Sequence, residues 1–140
     1  MTATDAAFSG SIPQTYDTHL GPLIFEPYAR DLGERVRPLR PARLLETAAG
    51  TGIVTRELAR VLPSSVAIVA TDLNQAMIDF AATKTTAGNI AWRQADAQVL
   101  PFGDGEFDVV VCQFGAMFFP DKVHAYREAR RVLKPGGRFI

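Results

Sequence analysis

Apolar positions along this chain follow two rhythms. Short runs of near-continuous apolar residues occur at 42–47 (ARLLET), 66–71 (VAIVAT), 90–93 (IAWR) and 107–114 (FDVVVCQF). They have the length and β-branched content of strands, and the last is apolar enough to be covered on both faces. Between them the spacing changes to that of helices. Ile53, Val54, Leu58, Val61 and Leu62 repeat at helical intervals and stop at Pro63. Asp72 ends the second strand, and Asn74 suits the N-cap of a helix running to about Thr86, with Gly88 as its stop signal. Residues 121–133 carry Val123, Tyr126, Ala129, Val132 and Leu133 on one side. The KPGG run, 134–137, then turns the chain, and residues 138–140 begin a fifth strand.

The part before the first strand reads differently. Residues 14–37 look like helices broken by Pro22 and Pro27 and closed by Pro38 and Pro41. Tyr16, Leu20, Leu23, Phe25 and Tyr28 give this stretch an aromatic, apolar character. The division expected is a flexible N-terminus at 1–13, a helical lead-in or cap at 14–41, and one sheet domain at 42–140. Strands alternating with helices predict an α/β fold, a doubly wound parallel sheet with helices on both faces. A chain that stops as its fifth strand begins leaves a sheet edge open. That predicts either a longer protein, of which the C-terminal part is missing here, or self-association through the edge.

Composition narrows the partners. Formal net charge is zero and no basic block occurs, so nothing offers the electrostatic footprint of a nucleic-acid or anionic-membrane binder. No apolar run approaches the ~20 residues that span a bilayer, and the first residues lack the basic flank and apolar core of a secretory signal. A cytoplasmic protein is the expectation. The single cysteine, Cys112, excludes an internal disulfide and sits in a strand where it reads as buried and structural.

In open parallel sheets, ligands bind beyond the carboxyl ends of the strands. The first strand ends in LLETAAGTG, residues 44–52, where Glu46 precedes a loop of small residues with Gly50 and Gly52. Such a loop lets a ligand approach the backbone closely. The second strand ends at Asp72, which can accept hydrogen bonds from both hydroxyls of a ribose; it also suits capping the next helix. The third ends near Asp96 and Ala97, where the acid suits an adenine amino group or a plain turn. The fourth ends at Gln113, Phe114, Gly115 and Ala116.

A nicotinamide-dependent oxidoreductase would carry G-x-G-x-x-G with a pyrophosphate on the helix N-terminus. Here the loop reads A-x-G-T-G, and Glu46 would lie unfavourably beside a pyrophosphate. A cationic amino-acid ligand suits it better. His19 and His124 lack metal-ligand spacing. Asp104, Glu106 and Asp108 read as a solvated turn.

These segments resemble the class I S-adenosylmethionine-dependent methyltransferases of the small-molecule type, similar to the ubiquinone and menaquinone biosynthesis group. LLETAAGTG resembles the family's E-x-G-x-G-x-G loop, and ATDLNQAMI its acidic ribose-binding segment. RQADAQVLPFGDGEFDVVVCQFGAMFFPD resembles its adenine-binding acid and fourth strand, and EARRVLKPGGRFI the approach to its fifth. The resemblance covers residues 44–140 and implies a Rossmann-like methyltransferase fold, S-adenosyl-L-methionine as cofactor and a small-molecule methyl acceptor. It further implies residue roles. Glu46 organises the loop beside the methionine portion, with Gly50 and Gly52 against it and Ala48 in the place of the family's first glycine. Asp72 holds the ribose, and Leu73 and Met77 pack near the adenosine. Asp96 holds the adenine amino group and the Ala97 amide a ring nitrogen. The Gln113 carbonyl takes the methionine ammonium. Tyr16 and Phe25 resemble positions that cover the cofactor. No catalytic base is legible. A cofactor-binding module without catalysis is the alternative, and the oxidoreductase a more distant one.

Overall fold

A computed structural model describes residues 11–140. Five parallel strands form one sheet in the order β3-β2-β1-β4-β5. They are β1 (Arg43–Glu46), β2 (Ala67–Asp72), β3 (Ile90–Gln94), β4 (Phe107–Val111) and β5 (Leu133–Phe139). The order runs outward from β1 to β3 and then restarts on the other side at β4. The reversal therefore lies between β1 and β4, where such sheets place their ligands.

Alternation along each strand sends neighbouring side chains to opposite faces. Leu44, Ile68, Val109 and Val111 join one core with Ala29, Leu32 and Val36 of the lead-in and Val54 and Leu58 of the helix after β1. Leu45, Val69 and Val110 join a second core on the opposite face with Ala129 and Val132. Burying each of these leucine and valine side chains contributes about 1.5–3 kcal/mol. Both faces are covered, as the near-continuous apolar strands predicted.

The crossover helices are α3 (Ile53–Val61), α4 (Gln75–Ala82) and α5 (Lys122–Val132). Asn74 caps α4 by accepting from the amides of Ala76 and Met77, and Asp121 caps α5 by accepting from His124. The helix expected to reach about Thr86 stops at Ala82. Thr83 Oγ1 bonds the Phe80 carbonyl and Thr85 Oγ1 accepts from the Ala87 amide, so the threonines give the backbone local alternatives to helix.

The lead-in departs more from expectation. Its prolines do not break it. α1 (Ile12–Thr15) passes into a wide, π-type stretch (Tyr16–Phe25), then α2 (Glu26–Val36) and a 3-10 turn (Arg37–Leu39). Pro27 and Pro38 fall in first turns, where a missing N–H costs little. Pro22 falls inside the wide stretch, whose looser winding makes room for its ring.

Two strand boundaries also shift. β4 ends at Val111, because Phe114 takes a left-handed backbone (φ 59°) that no strand continues through. β5 begins at Leu133, five residues before Arg138. Its partners on β4 are Phe107 for Leu133 and Val109 for Arg138, so the KPGG run is absorbed as a bulge within the strand.

Of the acids read as a solvated turn, Asp104 lies in an exposed turn, while Asp108 lies on β4 and holds the sheet's amino-terminal side. Asp108 Oδ2 accepts from the amides of Ala42 and Arg43 at 3.0 and 2.9 Å, fixing the entry to β1, and Lys134 Nζ bonds its other oxygen at 3.2 Å. Those donors hold the Asp108 carboxyl below its usual range, the Arg43 amide most of all. A lowered folded pKa stabilises above the unfolded value and is lost as pH falls through the folded one. Asp108→Ala is expected to cost about 1–2 kcal/mol at neutral pH. Urea unfolding checks this, and the difference from wild type should shrink in strong acid.

Candidate functional site

The carboxyl ends of β1, β2 and β4 meet in a sewn rim. The Ala49 amide donates to the Thr71 carbonyl at 2.9 Å, Thr71 Oγ1 to the Glu46 carbonyl at 2.8 Å, and the Thr47 amide to the Val111 carbonyl at 3.0 Å. Asp72 Oδ2 accepts from the Gly50 amide at 2.8 Å and Oδ1 from the Asn74 amide at 2.9 Å. Each oxygen keeps one lone pair, and together these can still receive two hydroxyls of a ligand. Burial pushes the Asp72 carboxyl up, while the Asn74, Gly50 and Leu73 amides pull it back.

A cleft of about 230 Å³ opens on this rim. Glu46, Ala48, Gly50, Asp72, Leu73 and Met77 line it, as do Asp96, Ala97, Gln113 and Phe25. The structure thus brings together ten residues scattered over the chain. Two others named from the sequence stand apart. The Tyr16 side chain lies outside the described residues. Gly52 does not line the cleft. It sits at the start of α3 with φ 80°, and a Cβ there would come 2.8 Å from the Trp92 ring and 3.0 Å from Ala81. Its lack of a side chain lets α3 approach the sheet.

Glu46 is the electrostatic centre of the cleft. It is 2% exposed, and Thr55 Oγ1 from α3 donates to its Oε2. Burial raises its carboxyl to about 8; the Thr55 hydroxyl lowers it, the Asp72 charge raises it and Arg56 lowers it. At neutral pH the group is largely protonated, and a cation placed beside it would favour the charged form. Cys112, behind the rim, has its thiol pushed up by burial, which suits a structural residue.

Asp96 forms the turn read as one alternative, its Oδ1 accepting from the Gln98 amide at 2.8 Å, and it also faces the cleft. Leu73 and Met77 supply apolar wall between Asp72 and Asp96. Sequence reasoning missed Phe118, Phe119 and Pro120, which close the cleft from the loop after β4. The aromatic density of FGAMFFP directly after a strand end was the available signal. Among the described residues no His, Lys, Arg, Tyr or Cys lines the cleft.

Ala48 departs from glycine in a position that favours glycine, with φ 54°. Its methyl group occupies the place a Cβ on Gly115 would need, so the two positions exclude each other.

A methyltransferase-domain family profile matches residues 45–140. The ubiquinone/menaquinone biosynthesis C-methyltransferase of Ectopseudomonas mendocina is 42% identical over 107 residues, covering 73% of this chain and 42% of that protein. The chain therefore spans less than half the length of that relative. Among solved structures, the CcbJ methyltransferase from Streptomyces caelestis superposes with TM-score 0.81 at 26% identity, over 96% of this chain and 56% of that one. The trans-methyltransferase CalH, solved with S-adenosylhomocysteine, gives TM-score 0.65 at 26% identity, over 81% and 34%.

Two outcomes are expected from the site itself. A carboxyl raised in the folded state favours folding at low pH; stability is lost as pH climbs from the unfolded value toward 8. Glu46→Gln removes that slope, so its unfolding free energy in denaturant should gain on wild type steadily from pH 5 to 8, by at most about 1.4 kcal/mol per pH unit. An unchanging gap would refute the raised carboxyl. Separately, Gly115→Ala alone should cost more than about 2 kcal/mol, and Ala48→Gly in the same chain should restore much of it. A double-mutant cycle in denaturant reads the coupling, about 1–3 kcal/mol.

Proposed function

The chain belongs to the methyltransferase-domain family, and from that premise we propose that it binds S-adenosyl-L-methionine and transfers its methyl group to a small-molecule acceptor. One observation carries the reading. Glu46, Asp72, Asp96 and Gln113, from the ends of four strands, line a single cleft against a loop of small residues. A carboxylate with two spare lone pairs suits a ribose, a second acid suits an exocyclic amine, and a buried carboxyl suits a cation. The residues present fit that cofactor, part by part. Bound there, the sulfonium supplies an already activated methyl group.

The chain's own contribution is then placement. Asp72 and the Gly50 amide fix one another, so the ribose-binding oxygens are held before any ligand arrives. Asp96 is held by its turn. Leu73 and Met77 provide the apolar wall for an aromatic base. Glu46 balances positive charge and sets the loop through Thr55. The absence of a basic side chain among the described lining residues suits an acceptor whose nucleophile needs no strong base, such as an electron-rich carbon. The C-methyltransferase name of the relative from Ectopseudomonas mendocina agrees with that choice.

One wall of the cleft is apolar. Phe25, Phe114, Phe118 and Phe119 line it, and Phe118 is 60% exposed. This favours an uncharged, largely apolar acceptor. Among the described residues no helix is long and apolar enough to cross a membrane. A cytoplasmic location is part of the proposal.

Calorimetric titration with S-adenosylmethionine and S-adenosylhomocysteine tests the reading. Both are expected to bind, and Asp72→Asn should weaken S-adenosylhomocysteine roughly 10- to 100-fold while the far-ultraviolet spectrum stays folded. No detectable binding of either ligand would sink the proposal; unchanged affinity in the variant would sink the ribose role of Asp72.

A further inference from the structure

Among the described residues, one buried side-chain polar atom lacks a hydrogen-bond partner: Oε1 of Gln113. The other end of the same amide is engaged. Nε2 donates at 3.1 Å to the carbonyl of Phe25, 88 positions earlier in the chain. That bond settles which end is oxygen, since a carbonyl cannot donate to another. A buried carbonyl oxygen without a donor is costly, and such atoms ask for an explanation.

Position supplies one. Gln113 lines the cleft two residues beyond Val111, which stands level with Glu46 in the ladder between β1 and β4. It therefore lies at the Glu46 end of the cleft, across the sheet from Asp96, which follows the edge strand β3. The lead-in is attached at the same end. Phe25 lines the cleft and stacks near Phe114 at 5.9 Å. Arg56 binds the loop and the lead-in together, with Nη1 on the Thr51 carbonyl at 2.7 Å and Nη2 on Asp17 at 3.0 Å.

We propose that the Gln113 side chain is a positioning residue that joins the lead-in to the bound ligand, Nε2 holding Phe25 while Oε1 accepts from the amino-acid ammonium of the cofactor. This rests on the function proposed above. It adds a role for the side chain, beside the backbone carbonyl named from the sequence. Oε1 has lost water without gaining a donor, and an ammonium in the cleft would supply one while Nε2 stays on Phe25. The lead-in then seats most firmly over a ligand that carries the ammonium. By linkage, whatever seats the lead-in also tightens that ligand.

The test uses two ligands that share an adenosine. S-adenosylhomocysteine carries the amino-acid part; 5′-methylthioadenosine lacks it. Calorimetry gives their affinities, and amide hydrogen exchange followed by mass spectrometry reads residues 16–36. In the wild-type chain, S-adenosylhomocysteine should slow exchange there and 5′-methylthioadenosine should not. Gln113→Leu should lose that slowing and cut the preference for S-adenosylhomocysteine by about tenfold. Gln113→Glu keeps an acceptor and loses the donor, so it should retain the preference and lose the slowing. A purely structural role would weaken both ligands equally. Equal slowing by the two ligands in wild type overturns the proposal, as does an unchanged preference in Gln113→Leu. Should Gln113→Leu not fold, the wild-type comparison and Gln113→Glu still decide. Absence of binding by the wild-type chain would instead overturn the function on which this rests.

Discussion

The carboxylate of Asp72 accepts from two backbone amides that belong to different loops, Gly50 after β1 and Asn74 after β2. A loop of small residues has no side chains with which to hold itself. Its amides must find acceptors elsewhere or stay hydrated. Asp72 provides one, the Thr71 carbonyl another and Val111 a third. The loop is thus shaped by neighbouring strands, and its form follows from the parallel register of β1 with β2 and β4. The wall of the cleft and the order of the sheet are one fact seen at two scales.

Two carboxyl groups stand on adjacent strand ends, and burial raises both. Glu46 is raised the further because it is the more deeply buried, with a smaller push from the Asp72 charge. A structure built only for stability would place a neutral residue there. A buried acid that is reluctant to ionise is compensated when a cation is placed beside it.

What could be read from the sequence was whatever depends on local pattern. The strand–helix alternation, the N-cap at Asn74 and the acids at strand ends follow from spacing and residue type, and the structure gathers Glu46, Asp72, Asp96 and Gln113 as that pattern implied. What could not be read depends on partners distant in the chain. The glycines of the loop look alike in sequence, yet Gly50 faces the cleft and Gly52 faces Trp92. Proline spacing suggested breaks, but a wide helical winding absorbed Pro22. The KPGG run reads as a turn, but pairing with β4 on both sides keeps it inside a strand. Gln113 was legible as a strand-end residue, whereas its side-chain bond to Phe25 is a purely tertiary fact.

Trp92 carries one more consequence. It is the chain's single tryptophan, half-buried on the edge strand β3, and its ring fills the space Gly52 leaves open at the start of α3. The indole does not line the cleft, yet it packs where the loop of the cleft wall passes into α3. Its emission colour and lifetime depend on how closely that helix end presses on it. The protein thus contains its own optical gauge of loop position, with no label needed.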